Sequence, residues 1–130
     1  MIENAYFEQM IAKIKECKSN GNKSDYVAGE IVALLNYNDS KRHNSDKFEV
    51  TNIPIAQLTD FIETLRKAEI TDFVVTAEQT DVIEALHEIQ KLGCVVNGLD
   101  IVTRIDTEFG VMGTYEVEGI RVSIPKNLKG

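Results

Sequence analysis

Apolar residues recur every three or four positions in the first third of the chain, which is the spacing of one face of an α-helix. This pattern predicts two amphipathic helices, over about 3–19 and 25–37, that run antiparallel and are joined by a polar turn. Ser24 is a suitable N-cap for the second helix. The ten polar residues 38–47 contain no apolar anchor, so they predict a solvated loop after the helical pair.

The hydrophobic pattern after residue 54 changes to the order α, β, α, β, β. Short runs of β-branched and aromatic residues mark the strands, and apolar residues at helical spacing mark the helices. Thr76 followed by Gln79 resembles a capping box and is predicted to open the second of these helices. The predicted elements are a helix over 55–68, a strand over 72–76, a helix from about 77 to Leu92, a strand over 94–105, a turn region from Asp106 to Gly113 and a last strand over 115–124; residues 48–50 are too few to weigh as a strand.

These elements predict one α/β (α+β) domain over residues 1–130, with a helical pair at 1–37, a polar loop at 38–47 and an α/β core at 48–130. The β-α-β part predicts two parallel strands joined by a right-handed crossover, and the last strand is expected to return antiparallel. The expected architecture is a two-layer sandwich in which the helices cover a small, mixed, three-stranded sheet.

Two glycines interrupt the predicted strands. Gly98 predicts a bulge or a point of close packing. Gly119 sits where the alternation of apolar residues changes phase, which either a bulge or a tight turn at Glu118 and Gly119 explains; the bulge is favoured.

The charge balance changes the expected range of partners. Fourteen Lys and Arg against 21 Asp and Glu give a net charge of −7 and a pI of about 4.8. Direct binding to a nucleic-acid backbone needs clustered basic residues and is not expected. The sequence has no apolar run long enough for a membrane span. Glu3 and Glu8 are acidic where a secretory signal would have basic residues and then an apolar run, so a cytoplasmic protein is expected. Cys17 and Cys94 are expected to be free thiols.

The acidic residues are concentrated in one segment, since no Lys or Arg lies between Glu69 and Gln90. Asp81, Glu84 and Glu88 are spaced to form a solvent-facing stripe on the predicted fourth helix. The opposite, apolar face of that helix consists of Val82, Ile83, Leu86 and Ile89. Two interpretations remain open: the acids serve solubility, or they form a surface that binds a basic partner. The candidate residues are Glu69, Asp72, Glu78, Asp81, Glu84 and Glu88.

The sequence offers no catalytic set, cofactor motif or metal motif. His43 lies in the predicted loop, and a nucleophilic pair of Cys94 with His87 would need a third group to orient the imidazole. The glycines form neither a dinucleotide fingerprint nor a P-loop. The histidines and cysteines lack the spacing of a zinc site, and Asp100 and Asp106 do not fit a calcium loop.

Several segments of the second half together resemble a known family. They are IETLRKAEITDFVVT at 62–76, VIEALH at 82–87, LGC at 92–94 with GL at 98–99, and GIRVSI at 119–124. The pattern is similar to a family of small uncharacterised proteins encoded on phages and mobile elements of Gram-positive bacteria, over about residues 55–124. This resemblance implies a genomic setting and assigns no activity to any residue.

The expected function is therefore a non-catalytic, acidic protein-binding module of a mobile element. Its most concrete form is an inhibitor of a host nucleic-acid-handling defence, such as an anti-CRISPR protein that occupies a basic channel. The alternative is a small-ligand-binding or regulatory α/β module that uses the crevice at the carboxyl ends of the parallel strands, near Thr76 and Asn97.

Overall fold

The computed structural model describes residues 3–106 and 113–126, and it has the predicted α+β fold. The turn predicted between Asp106 and Gly113 falls, at 107–112, outside the described residues. The helices are α1 (Ala5–Ser19), α2 (Ala28–Arg42), α3 (Leu58–Lys67) and α4 (Val82–Lys91), and a 3-10 turn, Ile55–Gln57, precedes α3. The strands are β1 (Glu49–Val50), β2 (Asp72–Thr76), β3 (Val95–Asp106) and β4 (Gly113–Ser123).

The sheet has four strands in the order β1-β2-β4-β3. β4 is antiparallel to both of its neighbours, so β2 and β3 point the same way but do not touch as a pair. The predicted parallel direction of these two strands and the antiparallel return of the last strand are confirmed. β4 lies between β2 and β3 because β3 pairs with the strand that follows it in sequence. The parallel pair is β1 with β2, connected through α3. The two residues of β1 are the fourth strand that the hydrophobic pattern left out.

α2 begins later and ends later than the predicted helix over about 25–37. It extends past the predicted end because its last turns contain polar residues that are buried and hydrogen-bonded. Its N-cap is Val27 rather than Ser24, and the Val27 N–H donates to Glu30 Oε1 at 3.0 Å. Ser40 Oγ accepts from the Glu49 N–H at 2.9 Å, and Asn36 Oδ1 accepts from the Thr51 N–H at 3.0 Å. These two side chains therefore accept hydrogen bonds from the backbone N–H groups at the outer edge of β1. This role explains why the last turns of α2 have the polar composition of a loop.

α4 begins at Val82, and Thr76 with Gln79 does not cap it. Gln79 is buried, and its amide pairs twice with the backbone of Ile53. Gln79 Oε1 accepts from the Ile53 N–H at 2.8 Å, and Gln79 Nε2 donates to the Ile53 carbonyl at 2.9 Å. The Gln79 side chain thus makes the two backbone hydrogen bonds to Ile53 that a neighbouring strand would otherwise make. The capping-box interpretation was therefore wrong.

The apolar face of α4 is also rotated from the predicted one. Ala85 and Ile89 are buried, and Val82 and Leu86 pack partly against the core. Ile83, predicted to face the core, is 72% exposed. Its place on the buried face is taken by Ala85, whose small side chain lets the helix lie close to the sheet.

The helices share one core with one face of the sheet. Phe61 of α3 meets Phe73 of β2 edge to face, with ring centroids 6.2 Å apart. Phe7 of α1 stacks on Tyr37 of α2 at 4.8 Å. The predicted two-layer arrangement holds for this face.

The other face of the sheet is closed by residues 43–47, here called the closing segment. The Asp46 N–H donates to the Thr103 carbonyl at 3.2 Å, and the Thr103 N–H donates to Asp46 Oδ1 at 3.0 Å. The Ile105 N–H donates to the His43 carbonyl at 3.0 Å. The chain just before β1 therefore covers the outer edge of β3, and the sheet curls so that Val74 and Val102 are buried away from the helical core.

The two strand glycines play different roles. The register shifts between Val96 and Gly98, and Gly98 has a φ of 120°, so the predicted bulge is confirmed. Gly119 pairs regularly with Thr76 and with Asp100, so the bulge favoured there was wrong. A Cβ at Gly119 would lie 2.5 Å from Val74 Cγ1, which shows that β4 needs glycine for close approach inside the curled sheet.

Gly119→Ala is expected to destabilise the protein by about 1–3 kcal/mol, because the added methyl group overlaps Val74 and the Val75 carbonyl. Gly113→Ala is the matched control on the same strand, since a Cβ there meets nothing within 4 Å. Equilibrium unfolding in urea measures both. Equal midpoints for the two variants would contradict the close approach.

Gln79→Leu is expected to cost about 2–4 kcal/mol, because the Ile53 N–H and carbonyl lose their partners in a buried position. Gln90→Leu on the exposed side of α4 is the control. The measurement is again the free energy of unfolding, and a cost for Gln79→Leu no larger than that of the control would disprove the strand-like role of this amide.

Candidate functional site

The six candidate acids do not form one unpaired surface. Asp72 pairs with Arg121, its Oδ1 lying 3.1 Å from Arg121 Nη2. Glu78 lies 2.7 Å from Arg104, and Glu88 lies 3.1 Å from Lys91. Three of the six candidate acids are thus paired with a base. These bases lie outside the segment from Glu69 to Gln90, which itself contains no Lys or Arg.

The predicted stripe on α4 does face solvent. Asp81 and Glu84 are exposed, and Glu88 is half-buried beside Lys91. Asp81 is the N-cap and has a left-handed backbone, with a φ of 52°. Glu69 is exposed after α3 and also has a positive φ, of 60°. The stripe therefore remains an acidic feature, carried mainly by Asp81 and Glu84.

A group of apolar side chains on the β3–β4 hairpin, which sequence reasoning missed, is exposed beyond the end of α4. Leu99 is 92% exposed and Ile101 is 44% exposed, and both lie on the same face of β3. Their cross-strand partners on β4 are Ile120 and Glu118. Leu99, Ile101 and Ile120 are here called the hairpin patch.

α4 cannot cover the whole of β3. The ten residues of α4 extend about 15 Å, whereas the twelve of β3 extend about 40 Å. In the sequence, Leu99 and Ile101 have the alternation of an ordinary buried strand, so the residue pattern does not signal their exposure.

A buried ionic cluster lies inside the curled sheet. Arg104 is 5% exposed; its Nε donates to Glu49 Oε1 at 2.9 Å, a second close contact runs from Nη2 to the same oxygen, and Nη2 also donates to Glu78 Oε1 at 2.7 Å. Burial alone would lower the pKa of Arg104, but its hydrogen bonds to Glu49 and Glu78 outweigh that effect and raise the pKa. His43 Nδ1 lies 3.4 Å from the second Glu49 oxygen. This cluster joins the closing segment, β1 and β3, so Glu78 belongs to a structural network.

A groove of about 600 Å³ opens between the closing segment and the start of β2, and Asn4 and Tyr37 of the helical layer also line it. Among the described residues its lining includes six charged side chains, Glu3, Asp46, Lys47, Asp72, Asp100 and Arg121. Four of these are here called the charged row: Asp72 of β2, Arg121 of β4, Asp100 of β3 and Lys47 of the closing segment. Lys47 Nζ donates to Asp100 Oδ1 at 2.9 Å. Phe48 and Val74 supply apolar lining.

Both carboxyl groups of the charged row have lowered pKa values. For Asp100 the hydrogen bond from Lys47 is the main cause, followed by that from the Ile101 N–H. For Asp72, burial raises the pKa, but hydrogen bonds from Ser123, Arg121 and Thr71 together outweigh it. A carboxyl whose pKa is lower in the folded state stabilises the fold above its unfolded value of about 4, and this contribution is lost as the pH falls through the lowered pKa.

The crevice expected near Thr76 and Asn97 is not formed. Thr76 ends β2 opposite Gly119, and its Oγ1 donates to the Val50 carbonyl at 3.3 Å. Asn97 lies in the bulge at the other end of the sheet, where its Nδ2 donates to Ser123 Oγ at 2.6 Å. Because β4 lies between β2 and β3, the carboxyl ends of these two strands do not meet at a shared crevice.

The cysteines and histidines show no nucleophilic arrangement. Cys17 and Cys94 are both free thiols, and burial raises the pKa of Cys94, which disfavours its thiolate. His87 is exposed. Within residues 3–106 and 113–126 no group of three or more His, Cys, Asp or Glu side chains is placed to hold a metal ion, and no helix is long and apolar enough to cross a membrane.

Comparison with known families assigns the chain. The profile of a family described as "Domain of unknown function (DUF7698)" matches residues 32–124. The chain belongs to this family. The match begins within α2 and includes the closing segment, the four described strands, α3, α4 and the charged row, whereas α1 lies outside it. No curated protein and no solved structure matches the chain.

Arg104→Met is expected to destabilise this DUF7698 protein by about 3–5 kcal/mol, because it leaves the Glu49 carboxylate buried without its partner. Adding Glu49→Leu to Arg104→Met is expected to recover part of that loss. Thermal and urea unfolding of the single and double variants test the pair.

The control for this cycle is Arg42→Met, whose exposed pair with Asp39 is expected to contribute no more than about 1 kcal/mol. If the double variant is less stable than Arg104→Met by the full cost of Glu49→Leu alone, the two side chains are not coupled.

Proposed function

We propose that the protein is a non-catalytic protein-binding module, and that its hairpin patch and the acids around it bind a basic partner protein. The observation that carries this proposal is the 92% exposure of Leu99, which lies in β3 directly after the bulge and pairs with Ile120 of β4. A large apolar side chain in an ordered strand, with apolar neighbours on the same face, is typical of an interaction surface.

The charges around the patch indicate the chemistry of the partner. Glu118 faces Ile101 across the hairpin, and Glu116 continues the same face of β4. Glu84 is exposed on α4, and the chain as a whole carries a net charge of −7. A second copy of the chain would bring like charges together at this surface, whereas a basic partner gains attraction and faster association.

The partner is expected to dock through side chains and not by adding a strand. The edge of β3 beside the patch is occupied, since the Ile101 carbonyl accepts from Lys47 Nζ at 2.7 Å and the backbone of Thr103 is paired with Asp46. Recognition therefore depends on the face of the hairpin, where Leu99 and Ile101 are the anchors.

We further propose that the partner is a host protein that handles nucleic acid, and that this module inhibits it in the manner of an anti-CRISPR protein. Proteins of that class expose basic channels for DNA or RNA. An acidic surface of this kind competes with nucleic acid for such a channel. The resemblance to proteins of phages and mobile elements supports the same setting.

The experiment begins with capture of the partner from the native host and continues with the purified partner. Leu99→Ser is expected to weaken binding at least about tenfold, because it removes the central apolar contact. Glu118→Lys is expected to slow association, and raised salt is expected to do the same to the unaltered protein. Glu16→Lys on α1, away from the hairpin, is the charge-matched control.

Three outcomes decide the proposal. Loss of affinity in Leu99→Ser and Glu118→Lys but not in Glu16→Lys supports it, and competition by DNA or RNA supports the nucleic-acid-handling partner. Equal affinities for all three variants would overturn the assigned surface. Sedimentation that shows self-association through Leu99 would overturn the basic partner in favour of a second copy.

A further inference from the structure

We propose that a proton on His43 fastens the closing segment to the sheet, so that the segment is held tightly at about pH 5.5 and more loosely at about pH 8. His43 is the C-cap of α2, and its carbonyl accepts from the Ile105 N–H. One residue therefore binds β3 through its backbone and faces the buried ionic cluster through its ring.

Two buried polar atoms face each other where the ring meets the cluster. His43 Nδ1 lies 3.4 Å from Glu49 Oε2, and the Glu49 side chain is fully buried. Within residues 3–106 and 113–126 neither atom has a hydrogen-bond partner. A carboxylate oxygen buried without a donor is costly. An imidazolium donates from both ring nitrogens, so protonation of His43 supplies the missing donor at Nδ1.

The charge balance of the cluster favours the same proton. Glu49 and Glu78 are two carboxylates bound to one guanidinium, that of Arg104, so the three side chains together carry one negative charge in excess. A protonated His43 cancels this excess. The interaction is stronger here than at the surface, because a buried pair is screened less by water and salt.

The end of α2 also favours a positive charge on the ring. The unpaired carbonyl groups at a helix C-terminus carry a partial negative charge, which stabilises a histidinium beside them. The two bases of the last turn repel it, but each has a carboxylate of its own. Lys41 lies 2.6 Å from Glu8. Arg42 lies 2.9 Å from Asp39.

Arg104 is the like charge that faces His43 from β3. Its Nε donates to the other Glu49 oxygen, Oε1, at 2.9 Å, and its Nη2 donates to Glu78 at 2.7 Å. From β4 the cluster receives the ring of Tyr115, whose centroid is 5.9 Å from the guanidinium carbon. Each cation thus has its own oxygen of Glu49, and the carboxylate lies between them.

The direction of the pH effect follows from proton linkage. A proton bound more tightly in the folded chain than in the unfolded chain stabilises the fold at low pH, and this stability is lost as the pH rises. Histidines in unfolded chains exchange their proton near pH 6.5, which sets a range of about 5.5 to 8. Asp72 and Asp100, whose pKa values are lowered, lose their contribution only towards pH 4 and below, outside this range.

The two histidines of the chain provide matched variants for urea unfolding at pH 5.5 and pH 8. His43→Gln removes the ring in the cluster, and His87→Gln removes an exposed one. Lowering the pH is expected to decrease the unfolding constant of His87→Gln and of the unaltered protein at least about fivefold more than that of His43→Gln. Equal pH dependence in all three proteins would overturn the proposal.

Hydrogen exchange tests whether the proton acts on the closing segment. The Ile105 N–H donates to the His43 carbonyl and the Thr103 N–H donates to Asp46 Oδ1, so both amides report on its attachment. Their exchange is measured in the unaltered protein, relative to unstructured peptides at the same pH. Protection is expected to fall at least about fivefold between pH 5.5 and pH 8. Protection that stays constant or rises would show that the segment is not held by the proton.

Discussion

The hydrogen bonds between the closing segment and β3 are the constraint on which the rest of the molecule depends. They bring residues 43–47 against a strand nearly sixty positions later in the sequence, and this contact bends the sheet until Val74 and Val102 are enclosed. The buried Arg104 follows from the same curvature, because only a curled sheet places β3 next to Glu49 of β1. A guanidinium in that position without a carboxylate partner would cost more than the fold can offset.

The parts of the fold that the sequence predicted well are those set by local periodicity. α1 and α3 follow from apolar residues at helical spacing, and the bulge follows from Gly98 within a run of β-forming residues. Two of the failures share one cause, which is that buried polar side chains that hydrogen-bond to distant backbone groups resemble loop or cap residues. Ser40 made the end of α2 look like a loop, and Gln79 looked like a helix cap although its amide pairs with Ile53.

The candidate surfaces were harder to predict than the fold. The acidic segment is visible in the composition, but its neutralising partners are remote in sequence: Glu78 meets Arg104, 26 positions later. Lys47 and Asp100 are 53 positions apart, so the charged row has no local signature. Leu99 is 92% exposed although its alternation with Ile101 is that of a buried strand, so the residue pattern did not reveal the hairpin patch.

The short stretch from the end of α2 to Lys47 occupies both margins of the sheet, since Asn36 and Ser40 satisfy β1 while residues 43–47 cover β3. Uncovered margins of this kind act as templates on which further chains add as strands and grow into fibrils. Because one stretch, from Asn36 to Lys47, contacts both margins, neither outer strand of the DUF7698 sheet is left as an open template there.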